Sequence, residues 1–317
     1  MFHHSLTYSQ TVFVAGGSSG LGAHITIFAR RQGPLDEARN SIIAARGDAR
    51  QEVHAISLDL GNPSELDAVF TAQSRLPDIL YCVAGGTSTE IGFFTDIDVG
   101  KLESCMRNNY FTAAYAAWSI FKLWIEDDKN AHTSKPRLRQ IVFINSAAAL
   151  LGMPGYAAYT ASKCAVRGLA DTLRMEALRL SGPASKYTIH CAFPSNFFSP
   201  AFLEEQKTKP ELTKQIEGTK GSMAELEQRI PSAEKVAKGI ITGAARGDFA
   251  LCDDSMESGL LFANMIGPSP KRGLGVLDSL LATVVGLFIW PLSRRRWDRL
   301  CRQDGMHHSK LHDGSIV

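Results

Sequence analysis

The stretch TVFVAGGSSGLG, residues 11–22, indicates the fold of this chain. Its first five residues form a short apolar run, as expected of a strand that a parallel sheet buries on both faces. Glycine permits a tight turn in which backbone amides approach a pyrophosphate, and the hydroxyls of Ser18 and Ser19 would add hydrogen bonds to the same phosphates. Gly16, Gly20 and Gly22 of this loop have the spacing G-x-x-x-G-x-G.

Strands and helices alternate through most of the chain. The predicted strands are 12–15, 24–29, 53–58, 79–83, 140–145, 187–193 and 249–251. The predicted helices are 35–46, 64–74, 100–125, 156–180 and 232–244. The polar stretch 127–139 predicts a surface loop. This alternation predicts a doubly wound, mostly parallel, Rossmann-like α/β sheet.

The connection between the glycine loop and the second strand is unusually short. Only Ala23 separates Gly22 from the apolar run that begins at His24. A crossover between parallel strands needs a dozen or more residues, usually a helix. Either the first crossover helix is missing, or the strand at 24–29 takes a different place. We expect a lower affinity for a dinucleotide, because the amides and the dipole of that helix end would be lost.

A second motif lies in INSAAALLGMPGYAAYTASK, residues 144–163. Tyr159 and Lys163 are four residues apart, so both side chains leave the same face of a helix. The pKa of a tyrosine is about 10, and a neighbouring ammonium lowers it by favouring the phenolate. Ser146 follows an apolar strand, where its hydroxyl would hold a substrate carbonyl. The trio predicts proton delivery during a carbonyl reduction, although Tyr-x-x-x-Lys alone is also common on solvated helices.

With these motifs, residues 10–200 resemble the short-chain dehydrogenase/reductase family. The matching features come in the family's order, and they are the loop at 16–22, Asp59, Ala84 with Gly85, Asn109, and the set of Ser146, Tyr159 and Lys163. The resemblance implies a nicotinamide-dependent oxidoreductase in which Lys163 also binds the nicotinamide ribose. It implies that Asn109 supports a proton-relay water, with Asn108 as the competing register.

The resemblance also assigns cofactor contacts. It implies that Asp59 contacts the adenine, for which the other interpretation is a turn at the end of a strand. It implies that Ala84 and Gly85 let the cofactor approach closely. Relatives with a basic residue at the end of the second strand favour NADPH, because a guanidinium pairs with the 2′-phosphate. Arg30 and Arg31 stand there, and we expect Arg31 to make the contact.

Within the family, the stretch SPAFLEEQKTKPELTKQIEG at 199–218 is similar to the fungal-type reductases of sphingolipid biosynthesis. This similarity implies NADPH-dependent reduction of a long-chain lipid ketone, 3-ketodihydrosphingosine, to dihydrosphingosine. Two alternatives remain open. One is a membrane-associated reductase of another lipid or steroid ketone, and the other is a catalytically impaired interaction protein, which the short connection after Gly22 favours.

Composition excludes several other classes of function. The chain has 317 residues, 44% apolar and 21% charged, as is ordinary for a globular protein. A net charge of +2 gives no reason to expect a nucleic-acid partner. The six cysteines show no metal-ligand spacing with one another or with histidine, so we expect no metal and a reducing, cytosol-facing compartment.

An apolar run near the C-terminus, VLDSLLATVVGLFIWPL at 276–292, predicts a membrane anchor, with a second, shorter apolar patch at 259–267. Tryptophans flank the longer run and arginines follow it at 294–296, as at a membrane interface. The alternatives are a buried helix or a contact helix of a homo-oligomer. We expect an NADP-binding reductase domain at 1–255 and a membrane-associated extension at 256–317. The resemblance places the protein on the endoplasmic reticulum membrane, facing the cytosol.

Overall fold

The computed structural model describes residues 10–16, 24–87, 89–131, 135–252 and 275–313, with side chains only as far as 304 in the last range. Some residues discussed above therefore lie outside the described part of the chain. They are Ser18, Ser19, Gly20 and Gly22 of the glycine loop, and the apolar patch at 259–267.

Seven parallel strands form one sheet in the order β3-β2-β1-β4-β5-β6-β7. The strands are β1 (Thr11–Ala15), β2 (His24–Ala29), β3 (Val53–Ser57), β4 (Ile79–Cys82), β5 (Arg137–Ile144), β6 (Ser185–Ala192) and β7 (Ala250–Leu251). Each lies within three residues of its predicted bounds. The order reverses between β1 and β4, which is where doubly wound sheets bind their ligands.

Helices cover both faces of the sheet. They are α1 (Gln32–Ala45), α2 (Pro63–Thr71), α3 (Val99–Met106), α4 (Thr112–Lys129), α5 (Ala157–Leu180), α6 (Pro200–Thr208), α7 (Glu211–Glu217), α8 (Met223–Arg229), α9 (Ala233–Arg246), α10 (Val276–Val284) and α11 (Trp290–Asp313). The predicted helix 100–125 is continuous through α3, a π-helical turn at Arg107–Phe111, and α4. The short helices α6, α7 and α8 were not predicted.

The second strand occupies the place next to the first. β2 pairs with β1 in parallel, with Thr11 opposite His24 and Ala15 opposite Phe28. Only eight residues, 16–23, connect the two strands, which is fewer than a helical crossover needs. The strand at 24–29 therefore takes its usual position next to β1. Of the two interpretations that the sequence left open, the first holds, because the connection is too short to contain a crossover helix.

Two apolar clusters fix the sheet between its helices. On one face Phe13, Phe28 and Phe70 pack with ring centroids 5.0–5.4 Å apart, and the fully buried Trp124 donates its indole N–H to the carbonyl of Pro77 at 2.7 Å. The other face is packed by α1 and α9. Because β1 and β4 at the centre of the sheet are buried on both sides, their sequences are apolar without alternation.

The prediction of a surface loop at 127–139 is wrong at both ends. Helix α4 continues to Lys129, and β5 already begins at Arg137. Arg139 is only 2% exposed and forms an ion pair with Asp127. Arg137 and Arg139 pair with Asp127 and Asp128, which are partly buried, so the polarity of Arg139 does not indicate exposure.

The C-terminal segment forms a continuous helical rod through α10, a π-helical turn at Val285–Ile289, and α11. Within it, Val276–Asp304 is long and apolar enough to cross a membrane by length and composition. Asp278 and Val285 are buried, at 2% and 1% exposure, whereas most apolar side chains of the rod are exposed. The rod also contacts α7.

Candidate active site

The turns after β1 and β4 touch each other at the switch point of the sheet. Gly16 donates its backbone N–H to the carbonyl of Phe28 at 2.8 Å, and its φ is +97°. A Cβ on Gly16 would lie 2.4 Å from the Cα of Ala84. Only glycine therefore fits this position, both in backbone conformation and in space, and the two small residues bring the strand ends together.

Asn109 holds the turn after β4. Its Oδ1 accepts the N–H of Gly86 at 2.9 Å, and its Nδ2 donates to the Gly86 carbonyl at 2.9 Å. Asn109 is 1% exposed and lies in the π-helical turn between α3 and α4, a feature often found at functional sites. The competing residue, Asn108, is partly exposed and approaches Glu90 instead, at 3.4 Å. The structure thus brings Asn109, and not Asn108, to the site.

Lys163 approaches the same turn from α5. Its Nζ donates to the carbonyl of Ile144 at 3.2 Å and lies 3.5 Å from the point that a Cβ on Gly85 would occupy. The ammonium is also 5.5 Å from the ring centre of Tyr159. Lys163 is 4% exposed, and this burial lowers its pKa to about 8, because a low-dielectric interior disfavours the charged form.

Tyr159 and Ser146 complete the predicted trio. Burial raises the pKa of the Tyr159 hydroxyl, and a hydrogen bond with Ser146 acts in the opposite direction. The pKa of Tyr159 therefore lies above its usual value and not below it, as was expected from the neighbouring Lys163, because desolvation of the phenol outweighs the hydrogen bond with Ser146. The Tyr159 hydroxyl accordingly keeps its proton at neutral pH. The Oγ of Ser146 accepts the N–H of Ala148 at 3.1 Å, which fixes the turn after β5.

The residues predicted to contact the adenosine end of the cofactor follow β2 and β3, which are one and two strands away from β1. Arg30 and Arg31 are exposed directly after β2. Asp59 follows β3, and its Oδ1 accepts the N–H of Gly61 at 3.0 Å. Asp59 thus stabilises a turn at the end of β3, which is the structural role that the sequence also allowed for it. Because β2 and β3 are parallel neighbours, all three residues stand at the carboxyl edge of the sheet, on the side of β1 away from Tyr159.

A group of ionisable side chains near Tyr159 was missed by the sequence analysis. We call Tyr156, Glu205, Lys209 and Glu217 the charged cluster. The Tyr156 hydroxyl lies 2.5 Å from Glu205 Oε1 and 3.0 Å from Glu217 Oε1. The Nζ of Lys209 lies 2.7 Å from Glu205 Oε1 and 2.5 Å from Glu217 Oε2. Three of these residues fall within the stretch 199–218 that carried the family resemblance, but their spacing gives no signal that they are buried.

Comparison with known proteins identifies the family of this chain. The family model described as short chain dehydrogenase matches residues 10–181. The 3-ketodihydrosphingosine reductase ksrA of Aspergillus fumigatus is 31% identical, and the alignment covers 93% of this chain and 85% of that protein. The 3-dehydrosphinganine reductase of Danio rerio is 32% identical over 75% of this chain and 69% of its own length.

Solved structures agree on the fold. A short-chain dehydrogenase from Streptomyces avermitilis superposes with a TM-score of 0.59 at 20% identity, covering 93% of this chain and 99% of that one. Levodione reductase superposes with a TM-score of 0.65 at 16% identity, covering 80% and 99%. The matched stretch, 10–181, holds the switch-point turns and the trio of Ser146, Tyr159 and Lys163. This chain belongs to the short-chain dehydrogenase family.

Proposed function

We propose that this protein reduces the 3-keto group of 3-ketodihydrosphingosine to the alcohol of dihydrosphingosine, with NADPH as the reductant. The proposal rests on one observation above all, the convergence of Ser146, Tyr159 and Lys163 beside the switch-point turns. It is supported by the names of the relatives from fungi and animals. The test is oxidation of NADPH by the purified full-length chain in mixed micelles of the ketone. A folded chain without turnover would refute the proposal.

The turn after β4 is open on one side and closely packed on the other. Gly85 is exposed and a Cβ on Gly86 would meet no atom within 4 Å, whereas a Cβ on Gly85 would lie 2.5 Å from Asn109 Oδ1. The backbone at Gly16, Ala84 and Gly85 would hold the nucleotide, which supplies the hydride when bound. Glycines at these positions let the cofactor reach the backbone.

The residues of the trio have separate roles in the proposed reaction. The Ser146 hydroxyl donates to the ketone oxygen and orients it. The Tyr159 hydroxyl, which is protonated at neutral pH and whose pKa burial raises further, gives its proton to the oxygen as the alkoxide forms. The Lys163 ammonium stabilises the phenolate that remains and binds the ribose. Asn109 keeps the turn after β4 in place through its bonds to Gly86.

The protonation of Lys163 predicts a pH limit. Its pKa of about 8 means that the ammonium is present below pH 8 and is lost above it. We therefore expect kcat/KM for NADPH, which reports on groups of the free enzyme, to fall about tenfold per pH unit above about pH 8. Lys163→Arg keeps its charge at all these pH values, so its lower activity should show no such fall. A wild-type profile that stays flat to pH 10 would contradict the prediction.

The preference for NADPH over NADH is assigned to Arg31. Its guanidinium is exposed just beyond β2, and a hydrogen bond to a charged group contributes about 1.5–3 kcal/mol. We expect Arg31→Ala to weaken NADPH binding by about 10- to 100-fold and to leave NADH binding unchanged, as measured by calorimetric titration. Arg30→Ala is the matched control. A larger loss of NADPH affinity in Arg30→Ala than in Arg31→Ala would show that Arg30, and not Arg31, makes the contact.

We further propose that residues 1–255 form the reductase domain and that 256–317 attach it to the cytosolic face of the endoplasmic reticulum membrane. Leu277, Leu280, Val284 and Leu287 recur at helical spacing and are 50–80% exposed, so they form one continuous apolar face. The opposite side carries the buried Asp278 and Val285. A helix with one side on protein and one apolar side exposed suits a pose in the membrane interface, and arginines 294–296 suit anionic headgroups.

This pose predicts which leucines bind the bilayer. Burying a leucine contributes about 1.5–3 kcal/mol, so we expect the double variant Leu277→Asp with Leu287→Asp to lower binding to anionic vesicles at least about tenfold in a flotation assay. Leu178→Asp is the matched control, because Leu178 is 61% exposed on α5. Equal binding by the double variant and the control would exclude this face as the attachment surface.

A second candidate function is that of a catalytically impaired interaction protein. The eight-residue connection between β1 and β2 favours it, because the length excludes a crossover helix whose N-terminus would bind the pyrophosphate. Calorimetric titration with NADPH separates the two candidates. Binding at micromolar concentrations supports the reductase, and no binding by a folded chain supports the interaction protein.

A further inference from the structure

The charged cluster of Tyr156, Glu205, Lys209 and Glu217 has no role in the reaction described so far. Glu205 lies on α6, Glu217 ends α7, and Lys209 follows α6 between them. The cluster is interior, since the side chains of Lys209, Glu217 and Glu205 are 0%, 8% and 14% exposed. The charged cluster is therefore a buried part of the segment that follows β6, and not a set of surface ion pairs.

The cluster carries an excess of negative charge. Two carboxylates face one ammonium, and Lys209 bonds both of them. Among the described residues no second basic side chain pairs with Glu205 or Glu217. A buried charge without a counter-charge costs several kcal/mol, so the cluster is suited to receive one more cation.

The excess charge lies beside the reacting hydroxyl. The rings of Tyr156 and Tyr159 are 6.0 Å apart. Burial is the largest cause of the raised pKa of Tyr159, and the nearby charges of Glu205, Cys105 and Glu217 raise it further. Both carboxylates therefore lie close enough to influence that hydroxyl. A cation bound at the cluster would therefore sit close to the carbonyl that Tyr159 protonates.

A buried polar side chain beside Glu205 on α6 also indicates a missing ligand. The hydrogen bonds of Glu205 itself go to its Oε1. Gln206, the next residue, is 5% exposed, and neither its amide nitrogen nor its amide oxygen has a partner among the described residues. Buried polar groups in folded proteins are normally satisfied, so a ligand that completes such bonds gains free energy on binding.

The proposed substrate has a cation in the matching place. 3-Ketodihydrosphingosine is an α-amino ketone, and its amine, in the protonated form, is carried by the carbon next to the ketone. We infer that Glu205 and Glu217 bind this ammonium group and thereby select α-amino ketones over neutral ketones. The inference rests on the proposed function, and it adds the residues that recognise the substrate at the carbon beside the reacting one.

The experiment compares two substrates and three forms of the full-length protein. The substrates are 3-ketodihydrosphingosine and its N-acetyl analogue, which is neutral, each at the same mole fraction in mixed micelles. The proteins are wild type, Glu205→Gln and the matched control Glu204→Gln, an exposed glutamate on the same helix. We expect the wild type to prefer the amine by about 10- to 100-fold in kcat/KM, the range of a hydrogen bond to a charged group.

Each variant has a distinct expected result. Glu205→Gln should lose most of that preference, because its kcat/KM for the amine should fall while its kcat/KM for the neutral analogue changes less than about threefold. Glu204→Gln should keep the wild-type preference. An equal loss for both substrates would show a purely structural role and overturn the inference. Equal kcat/KM of the wild type for both substrates would overturn it without any variant, and the proposed reduction would still stand.

A binding measurement separates failure of the inference from failure of the proposed function. If no ketone is turned over, the proposed function fails, and calorimetric titration with dihydrosphingosine and N-acetyl-dihydrosphingosine still tests the cluster. Tighter binding of the free amine by the wild type, lost in Glu205→Gln, supports the inference. Equal binding of amine and amide overturns it.

Discussion

Tyr159→Phe is expected to lower kcat for the ketone by about 10²- to 10⁴-fold, the usual contribution of a positioned general acid. The substitution removes the proton donor and leaves the ring. A tyrosine with its usual pKa of about 10 is protonated at neutral pH, and burial raises the pKa of Tyr159 further, so the wild-type site holds a proton for the developing alkoxide. Steady-state turnover with NADPH and the ketone measures the loss, and calorimetric titration measures cofactor affinity, which should change less than about threefold.

The matched control is Tyr115→Phe, a half-buried tyrosine on α4 whose described contact is ring stacking with Phe111. This variant should retain wild-type kcat. A Tyr159→Phe enzyme with more than a tenth of wild-type turnover would refute the assignment of the proton donor. It would also remove the main support for the proposed reduction.

Gly16→Ala is expected to destabilise the protein by about 2–5 kcal/mol. An alanine at φ of +97° is strained by roughly 1–2 kcal/mol, and its Cβ would stand 2.4 Å from the backbone of Ala84. Relief of that overlap requires movement of a strand end, which typically costs about 1–3 kcal/mol. Thermal unfolding measures the effect, since each kcal/mol corresponds to about 2–4 °C in Tm for a chain of this size.

Gly168→Ala provides a control of opposite sign. Gly168 lies within α5, and a Cβ there would meet no atom within 4 Å. Alanine is favoured over glycine inside a helix by about 1 kcal/mol, so this variant should be slightly more stable than the wild type. If Gly16→Ala unfolds at the wild-type temperature, the turns after β1 and β4 are not in direct contact.

The sheet could be predicted because its central strands are short apolar runs buried on both faces. The apolar runs at Thr11–Ala15 and Ile79–Cys82 have no polar side to face solvent, so they are expected at the centre of a parallel sheet. The same reasoning predicted where the trio lies, since Ser146 follows a strand and Tyr159 and Lys163 share a helical face. These are local patterns, which a single sequence displays directly.

What the sequence could not predict depends on contacts between distant residues. The sequence predicts that Arg139 is exposed, and only its ion pair with Asp127 in the folded chain explains its burial. The charged cluster joins Tyr156 to Glu217 across 61 positions of the chain, and no local pattern marks that contact. The pKa of Tyr159 was predicted in the wrong direction for the same reason, because the desolvation of a phenol depends on everything that packs around it.

The short connection between β1 and β2 changes the physical origin of coenzyme affinity. Where a crossover helix supplies its dipole, much of the attraction for the diphosphate comes from fixed backbone groups close to the ligand. In the proposed coenzyme complex, the exposed guanidinium groups beyond β2 would supply a larger share of that attraction. Exposed charges are screened over a Debye length of about 8 Å at physiological ionic strength. Coenzyme occupancy in this protein should therefore depend on salt concentration more steeply than in relatives that retain the helix.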